Sequence, residues 1–173
     1  MSEATEATNV NKDPEVITND KGLKYAPGEN RLVVKGVLTN FRYSTTKYRG
    51  DKATYQVSVH TTSLTSDIVA DIKARYFSDT KDKYLPSFIK DIEKAGDKDP
   101  VYINLQSQYE FGTFLPGDGN KRYSYDDVIE MGEGLAPLKS EVTLSIRLKE
   151  GSCYPLALRI DRLLKQDASD YFE

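Results

Sequence analysis

Apolar residues at every second position constrain this chain more than any other feature of its sequence. The segments 52–62, 100–106 and 141–149 each show this alternation. Successive side chains of a β-strand point to opposite faces, so a period of two predicts strands with one buried face. The chain is therefore predicted to be mainly β.

Two further segments extend this strand set. Residues 31–41 are rich in β-branched and apolar side chains and predict a strand, in which Gly36 marks a bulge or a sharp bend. This strand and 52–62 form a long predicted hairpin. Residues 153–164 predict the last strand, which follows a turn at Gly151.

Helical patterns are fewer. Residues 86–95 predict one short helix, because Pro86 suits a first helical turn and the apolar residues share one face. Residues 68–77 fit two structures. Ser66 and Asp67 can cap a helix, but alternation from Ala70 to Tyr76 matches a strand over a longer stretch. The longer match favours a third strand.

Many short strands around one helix predict a small closed barrel of OB-fold type, with an all-β sandwich as the competing architecture. The barrel domain is predicted at 31–165. A polar, acidic arm at 1–30, disordered or loosely tied, precedes it, and an acidic aromatic tail at 166–173 follows it. The Gly-, Pro- and Tyr-rich excursion at 109–138 predicts an extra strand or hairpin about 116–120.

Composition excludes several classes of protein. No apolar run approaches the roughly 20 residues that span a bilayer, so no membrane contact is expected. The polar N-terminus does not resemble a secretion signal, and the single cysteine, Cys153, cannot form an intramolecular disulfide. These features predict a cytoplasmic protein, in the host cell if a phage encodes it.

Catalytic motifs are absent from the sequence. Its one histidine, His60, lies within a predicted strand, and no phosphate-binding loop or dinucleotide fingerprint occurs. We therefore expect no enzyme activity, no cofactor and no metal. The acidic residues at 126–133 leave a small magnesium-dependent hydrolase or nuclease open as an alternative.

Positive charge is concentrated in one segment, although the whole chain has a net charge of −3. Residues 31–60 hold six basic residues and one acidic residue, a net charge of +5, and aromatic rings lie between them. Single-stranded nucleic acid requires both kinds of side chain, because its phosphates attract cations and its unpaired bases stack on rings. The candidate residues in the hairpin are Lys35, Phe41, Arg42, Tyr43, Lys47, Tyr48, Arg49, Lys52 and Tyr55.

Two other segments supply further candidates for the same groove. Lys73 and Arg75 would project from the predicted third strand. Tyr109, Phe111 and Arg122 belong to the excursion, whose glycine and proline content suits a loop that closes over a bound strand.

In its strand order, its basic aromatic hairpin and its acidic aromatic tail, the chain resembles the OB-fold single-stranded DNA-binding proteins, especially those of phages and plasmids. The resemblance implies a domain that binds single-stranded DNA with little sequence preference, in replication or recombination. It also implies that the acidic tip recruits replication or recombination proteins. Here the tip consists of Asp170, Tyr171, Phe172 and Glu173, and it departs from the Pro-Phe ending of the bacterial family.

Three questions stay open at this point. The same tyrosines could form a protein interface, as in a protein–protein interaction module or a virion accessory β-sandwich domain that binds no nucleic acid. The sequence does not separate DNA from RNA as the ligand. Nor does it separate a monomer from a homo-oligomer.

Overall fold

The computed structural model describes residues 16–44, 54–96, 100–115, 121–131 and 139–162. The strands are β1 Ile17–Thr18, β2 Lys24–Ala26, β3 Arg31–Ser44, β4 Thr54–Thr61, β5 Val101–Ser107, β6 Gly112–Phe114, β7 Glu141–Lys149 and β8 Ser152–Arg162. The α-helices are α1 Ser66–Tyr76, α2 Ser87–Ala95 and α3 Tyr125–Met131, and short 3-10 turns occur at Pro27–Glu29 and Asp82–Tyr84.

Strand β3 holds the architecture together because it pairs with strands on both of its edges. Residues 31–37 pair with β7, whereas residues 37–44 pair with β4, both in antiparallel orientation. Strand β4 then pairs with β5, and β7 with β8. The resulting order is β5-β4-β3-β7-β8, and β5 and β8, at its two ends, contact each other.

This arrangement confirms the predicted fold class, a mainly β, OB-like small barrel. Strand β3 belongs to the three-stranded meander β3-β4-β5 and also pairs with β7 of the hairpin β7-β8. The element order differs from the prediction between β4 and β5, where α1 and α2 both lie. Strand β6 adds to the sheet by pairing with β8 in parallel orientation.

Gly36 lies where β3 changes partners, and there the sheet leaves no room for a side chain. A Cβ atom at this position would lie 2.3 Å from the backbone oxygen of His60 and 2.7 Å from Cγ1 of Val59. The bulge predicted at Gly36 lies slightly further along β3, where the register shifts between Leu38 and Asn40. Gly36 therefore allows close approach of β4, while Thr39 is the inserted residue.

The predicted alternation correctly identifies the buried face of the barrel. Val57 and Val59 of β4 are fully buried and the side chain of Gln56 is partly exposed, as the period of two requires. Ile103 of β5 and Leu144 of β7 are likewise fully buried. The predicted helix at 86–95 is confirmed as α2.

The preference for a strand at 68–77 is wrong, because these residues belong to α1. The hydroxyl oxygen of Thr65 accepts a hydrogen bond from the backbone N–H of Ile68 at 3.4 Å and so caps the helix. Ile68, Ile72 and Tyr76, which lie at helical spacing, are buried on one face. Ala70 and Ala74, which contributed to the apparent alternation, are exposed.

The second half of the N-terminal arm is part of the fold, so the prediction of a loosely tied segment is wrong for residues 17–26. Strand β2 pairs with β3, and Leu23 and Tyr25 are buried in the core. The Tyr25 hydroxyl donates a hydrogen bond to Asp71 of α1. Burial, with a further contribution from Asp71, raises the pKa of Tyr25 well above its ordinary value. The arm is thereby fixed to both the sheet and α1.

The longest described helix, α1, has 11 residues. None of the helices in the described ranges combines the length and the apolar character needed to cross a bilayer.

We predict that Gly36→Ala destabilises the protein by about 2–3 kcal/mol, because the added methyl group meets backbone atoms that cannot move aside cheaply. Chemical denaturation would measure the loss. Gly112→Ala is the matched control, since the nearest atom to its new Cβ would be a carbon of the Phe114 ring at 3.2 Å. Equal losses in the two variants would contradict the role assigned to Gly36.

Candidate nucleic-acid interface

Three adjacent strands place polar side chains in rows on the outer face of the barrel. Cross-strand partners lie on the same face of a sheet, so the pairing registers define these rows. The first contains Arg42, Gln56 and Gln106, the second contains Asn40, Ser58 and Asn104, and the third contains Val37, His60 and Tyr102. We call this surface, on β3, β4 and β5, the outer face.

The charged residues on the three strands of the outer face are all basic. Strands β3, β4 and β5 contain three basic residues, Arg31, Lys35 and Arg42, and no aspartate or glutamate. Lys35 and Arg42 are exposed and lie on the same side of β3. About six strand steps separate them when the bulge is discounted, which corresponds to about 20 Å. An extended anion lying along β3 would therefore meet a cation near each end.

The middle of the outer face is a shallow groove lined by side-chain amides. It has a volume of about 390 Å³ and is bordered by Asn40, Gln56, Ser58, Asn104, Leu105 and Gln106. The Arg42 guanidinium donates to the amide oxygen of Gln56 at 3.1 Å. Within the described ranges, the side chains of Asn40, Asn104 and Gln106 form no hydrogen bond. These amides are available to a ligand, as donors and as acceptors.

A pair of stacked rings lies at one end of the groove. The rings of His60 and Tyr102 have centroids 4.3 Å apart and an interplanar angle of 19°. Tyr102 is 49% exposed. One of its faces is covered by His60, so the pair forms a ready platform for another flat ring.

Tyr109 and Arg122, both predicted from the excursion, lie near the end of β5. Tyr109 follows β5 by two residues and is 72% exposed, the largest value among the exposed large apolar and aromatic residues described. The Arg122 guanidinium is exposed and donates to the backbone oxygen of Glu110 at 3.3 Å. Both side chains are accessible to a ligand that extends beyond the strand.

Phe41 and Phe111, two other predicted site residues, are buried. Each is only 6% exposed, and their ring centroids are 6.1 Å apart. Phe41 also contacts Tyr125 of α3 at 4.9 Å. Their rings belong to the core, because Phe41 points into the barrel in the alternation that places Arg42 outside. As placed, neither ring can stack on a base.

Tyr43 and Tyr55 face each other at the base of the predicted hairpin. Their ring centroids are 4.3 Å apart, and Tyr125 contacts both rings edge-on. Tyr43 is 38% exposed. Burial raises the pKa of Tyr55 above its ordinary value, and nearby Glu110 raises it further. With Phe41 and Phe111, these three tyrosines form what we call the ring cluster.

Lys73 and Arg75 do not join the outer face, which corrects their predicted placement beside the hairpin. Both lie on α1. Lys73 forms an ion pair with Glu93 of α2 at 2.8 Å, and Arg75 forms one with Asp71 at 2.7 Å. Lys73 therefore links α1 to α2, whereas Arg75 is paired within α1, so both charges already have carboxylate partners.

Several predicted residues lie outside the described ranges. They are Lys47, Tyr48, Arg49 and Lys52 of the hairpin and Asp170, Tyr171, Phe172 and Glu173 of the tail. The predicted turn at 116–120 is also outside these ranges, although an antiparallel bridge joins Thr113 and Tyr123 on either side of it.

The structure also shows the surroundings of two residues that bear on catalysis, Asp127 and Cys153. Asp127 accepts a hydrogen bond from the backbone N–H of Ser124 at 3.2 Å, near the start of α3. Among the described side chains, no group of three histidine, cysteine, aspartate or glutamate residues is arranged to hold a metal ion. Burial raises the pKa of the Cys153 thiol to about 12, which makes its reactive thiolate scarce at neutral pH.

Sequence analysis did not single out the amides of the outer face or the His60–Tyr102 pair. Their signal lies in the same alternation that predicted the strands. In β5, Tyr102, Asn104 and Gln106 occupy the positions between the buried Val101, Ile103 and Leu105. Reading the polar half of each strand as one surface would have found them.

Comparison with solved structures finds one clear similarity. The chain matches a structure described as "Single-stranded DNA-binding protein from bacteriophage Enc34 in complex with ssDNA" with a TM-score of 0.53 and 10% sequence identity. The match covers 92% of this chain and 99% of the phage protein. No protein-family model and no curated protein sequence matches this chain. At this identity the match shows a common fold.

We predict that Phe41→Ala lowers the free energy of unfolding by about 3–5 kcal/mol, the usual cost of removing a buried ring. Tyr109→Ala, the control at the most exposed ring, should change it by less than about 0.5 kcal/mol. Urea denaturation of both variants checks this. Similar small effects would contradict the assignment of Phe41 to the core.

Proposed function

We propose that this protein binds single-stranded DNA along its outer face, without catalysis, in replication or recombination. One observation carries the proposal: the outer face, whose three strands contain no acidic residue, combines accessible cations, amides without a hydrogen-bond partner among the described residues and a stacked ring pair around one groove. Each of these groups has a matching group on a single strand, whose bases are unpaired and whose backbone is anionic.

The phosphates supply the first set of contacts. Lys35 and Arg42 lie at opposite ends of the outer face, so one strand lying along β3 reaches both. Neither residue forms an ion pair with a described carboxylate. Their charges are therefore free to replace the counterions of the nucleic acid, which favours binding most strongly at low salt.

The bases supply the second set. Tyr102 and Tyr109 present ring surfaces, and each stacked base contributes roughly 1–3 kcal/mol without much regard to its identity. The amides of Asn40, Asn104 and Gln106 can adapt to different base edges, since each amide offers both a donor and an acceptor. This combination supports binding with little sequence preference.

The comparison supports the proposal from a separate direction. The phage protein that shares the fold was solved with single-stranded DNA bound, and the similarity extends over nearly the whole of both chains. A barrel of this fold therefore binds single-stranded DNA in the phage protein, which supports the proposal for this chain. Competition between a DNA oligonucleotide and an RNA oligonucleotide of the same sequence would show which of the two ligands the protein prefers.

The salt dependence of binding to oligothymidine tests the electrostatic part. A single strand gives a slope of about −0.7 in log affinity against log salt for each phosphate neutralised, so Lys35 and Arg42 together predict about −1.4. A steeper slope would mean that further cations neutralise phosphates, and Lys47, Arg49 and Lys52 are the candidates. Fluorescence titration over a series of salt concentrations measures it.

Two variants make this test specific. Arg42→Gln should reduce the slope by about 0.7, whereas Lys90→Gln, which removes the same charge from the exposed side of α2, should not. Absence of binding even at low salt would refute the proposed function. Such a result, together with a defined protein complex, would favour the protein–protein module instead.

We also predict that Tyr102→Ala weakens oligothymidine binding by about 5- to 150-fold, the range expected for losing one stacked base. Tyr102→Phe should retain most of the affinity, because it keeps the ring. Tyr84→Ala removes a ring that is 67% exposed on the turn between α1 and α2, away from the outer face. An equal loss in this control would show that the effect does not come from the groove.

A stability control completes the comparison. Val57→Ala should lower the melting temperature, since Val57 is fully buried, but should leave the affinity of the folded protein nearly unchanged. The opposite pattern for Val57 and Tyr102 would mean that the two faces of the sheet have been exchanged.

A further inference from the structure

A second basic surface lies on the other half of the sheet, near the beginning of β3. There the registers of three strands place Arg31 opposite Arg147, and Arg147 opposite Tyr154. Cross-strand partners have Cβ atoms about 5 Å apart, and like charges at that distance destabilise a sheet. The Arg31–Arg147 pair is therefore a cost to the fold that needs an explanation.

The hydrogen bonding of this pair is also incomplete. The Nε atom of Arg31 is buried and has no hydrogen-bond partner among the described residues. The only described carboxylate near Arg31 is that of Glu29, at 3.9 Å, which is too long for a hydrogen bond. Arg147 donates to the backbone oxygen of Glu29 at 3.1 Å, which leaves its charge without a carboxylate.

A cavity adjoins Arg147. It has a volume of about 570 Å³, and its lining includes Asn30, Arg75, Arg147, Lys149, Glu150 and Tyr154. Lys149 lies over the ring of Tyr154, with Nζ 5.8 Å from the centroid. Among the described residues, neither Arg147 nor Lys149 forms an ion pair. Arg75 is paired with Asp71, so Arg147 and Lys149 are the cations left for a ligand.

We propose that this cavity binds a phosphate group between Arg147 and Lys149, with Arg31 beside Arg147 on the neighbouring strand. A dianion would compensate the charges of the facing guanidiniums, and guanidinium groups suit the geometry of phosphate oxygens. The amide nitrogen of Asn30 adds a donor, because the Asn30 amide oxygen already accepts from the Tyr76 hydroxyl at 2.9 Å. We call this the phosphate site.

The phosphate site lies beyond one end of the outer face. On β3, Arg31 precedes Lys35, the nearer cation of the outer face, by four strand steps or about 13 Å. The phosphate can come from a free phosphate-bearing molecule or from the backbone of a nucleic acid that extends beyond the outer face. The site does not depend on the proposed function, because the first source involves no nucleic acid.

The first experiment uses inorganic phosphate and pyrophosphate as probes. Thermal unfolding of the full chain is followed with rising probe at constant ionic strength, balanced with chloride. We expect stabilisation of the wild type, with the affinity lowered about tenfold or more in Arg147→Gln.

Lys149→Gln is a second variant, at an exposed position where folding is not at risk. Arg162→Gln, which removes a charge paired with Glu141 at the far end of β7, is the control.

The second experiment uses oligothymidines of about 6 and about 16 nucleotides, the range of lengths that OB-folds occupy. If the phosphate belongs to a nucleic acid, Arg147→Gln weakens binding of the long oligonucleotide and spares the short one. Arg162→Gln should affect neither.

The outcomes separate the two sources. Stabilisation by phosphate that requires Arg147 shows that the cavity binds phosphate. A loss of long-oligonucleotide binding in Arg147→Gln then assigns that phosphate to a nucleic-acid backbone, and unchanged binding assigns it to a free phosphate-bearing ligand. The phosphate site is refuted if Arg147→Gln and Lys149→Gln bind phosphate as Arg162→Gln does and Arg147→Gln binds both oligonucleotides as Arg162→Gln does. That result would leave binding at the outer face untouched, whereas failure of both oligonucleotides to bind would refute only the proposed function.

Discussion

The close approach of β4 to β3 at Gly36 is the constraint on which the barrel depends. Beside this glycine, at Val37, the continuous strand ends its pairing with β7 and begins its pairing with β4, so a single strand belongs to both halves of the sheet. The backbone oxygen of His60 occupies the space that any larger residue would need. Because β3 is shared in this way, its first half carries the phosphate site and its second half carries the outer face. The two surfaces are therefore rigidly linked through one element.

Much of this fold follows from hydrophobic period alone, and the exceptions have identifiable physical causes. Strands β3, β4, β5, β7 and β8 and helix α2 were predictable because each buries one face against a common core. Helix α1 was not, since Ala70 and Ala74 count as apolar in a pattern but are small enough to remain exposed. Tyr25 was missed because one buried ring, held by Asp71, fixes a segment whose composition is otherwise polar. Tertiary contacts of this kind leave no local signal.

The sequence predicted the kinds of side chain in the candidate site, cations and aromatic rings, but only some of their positions in the fold. Arg42 and Lys35 lie where a basic strand face was expected, and Tyr109 is as accessible as a loop residue can be. Phe41 and Phe111 instead pack inside: Phe41 lies on the inward side of β3, opposite to Arg42, and its ring contacts that of Phe111. The amides of β4 and β5 went unnoticed since neutral polar residues add nothing to a charge count. On this surface, charge indicates the region and the neutral side chains define the groove.

The ring cluster has a consequence for how this protein can vary. Tyr43, Tyr55 and Tyr125 join the root of the hairpin to α3, so the direction in which the chain leaves the barrel is set before residue 45 and after residue 53. Insertions or deletions between those positions would leave the root geometry intact, and doubling a loop costs only about 0.6 kcal/mol in closure entropy. Selection is thus free to alter the length of that segment, and with it the reach of the protein, without rebuilding the barrel.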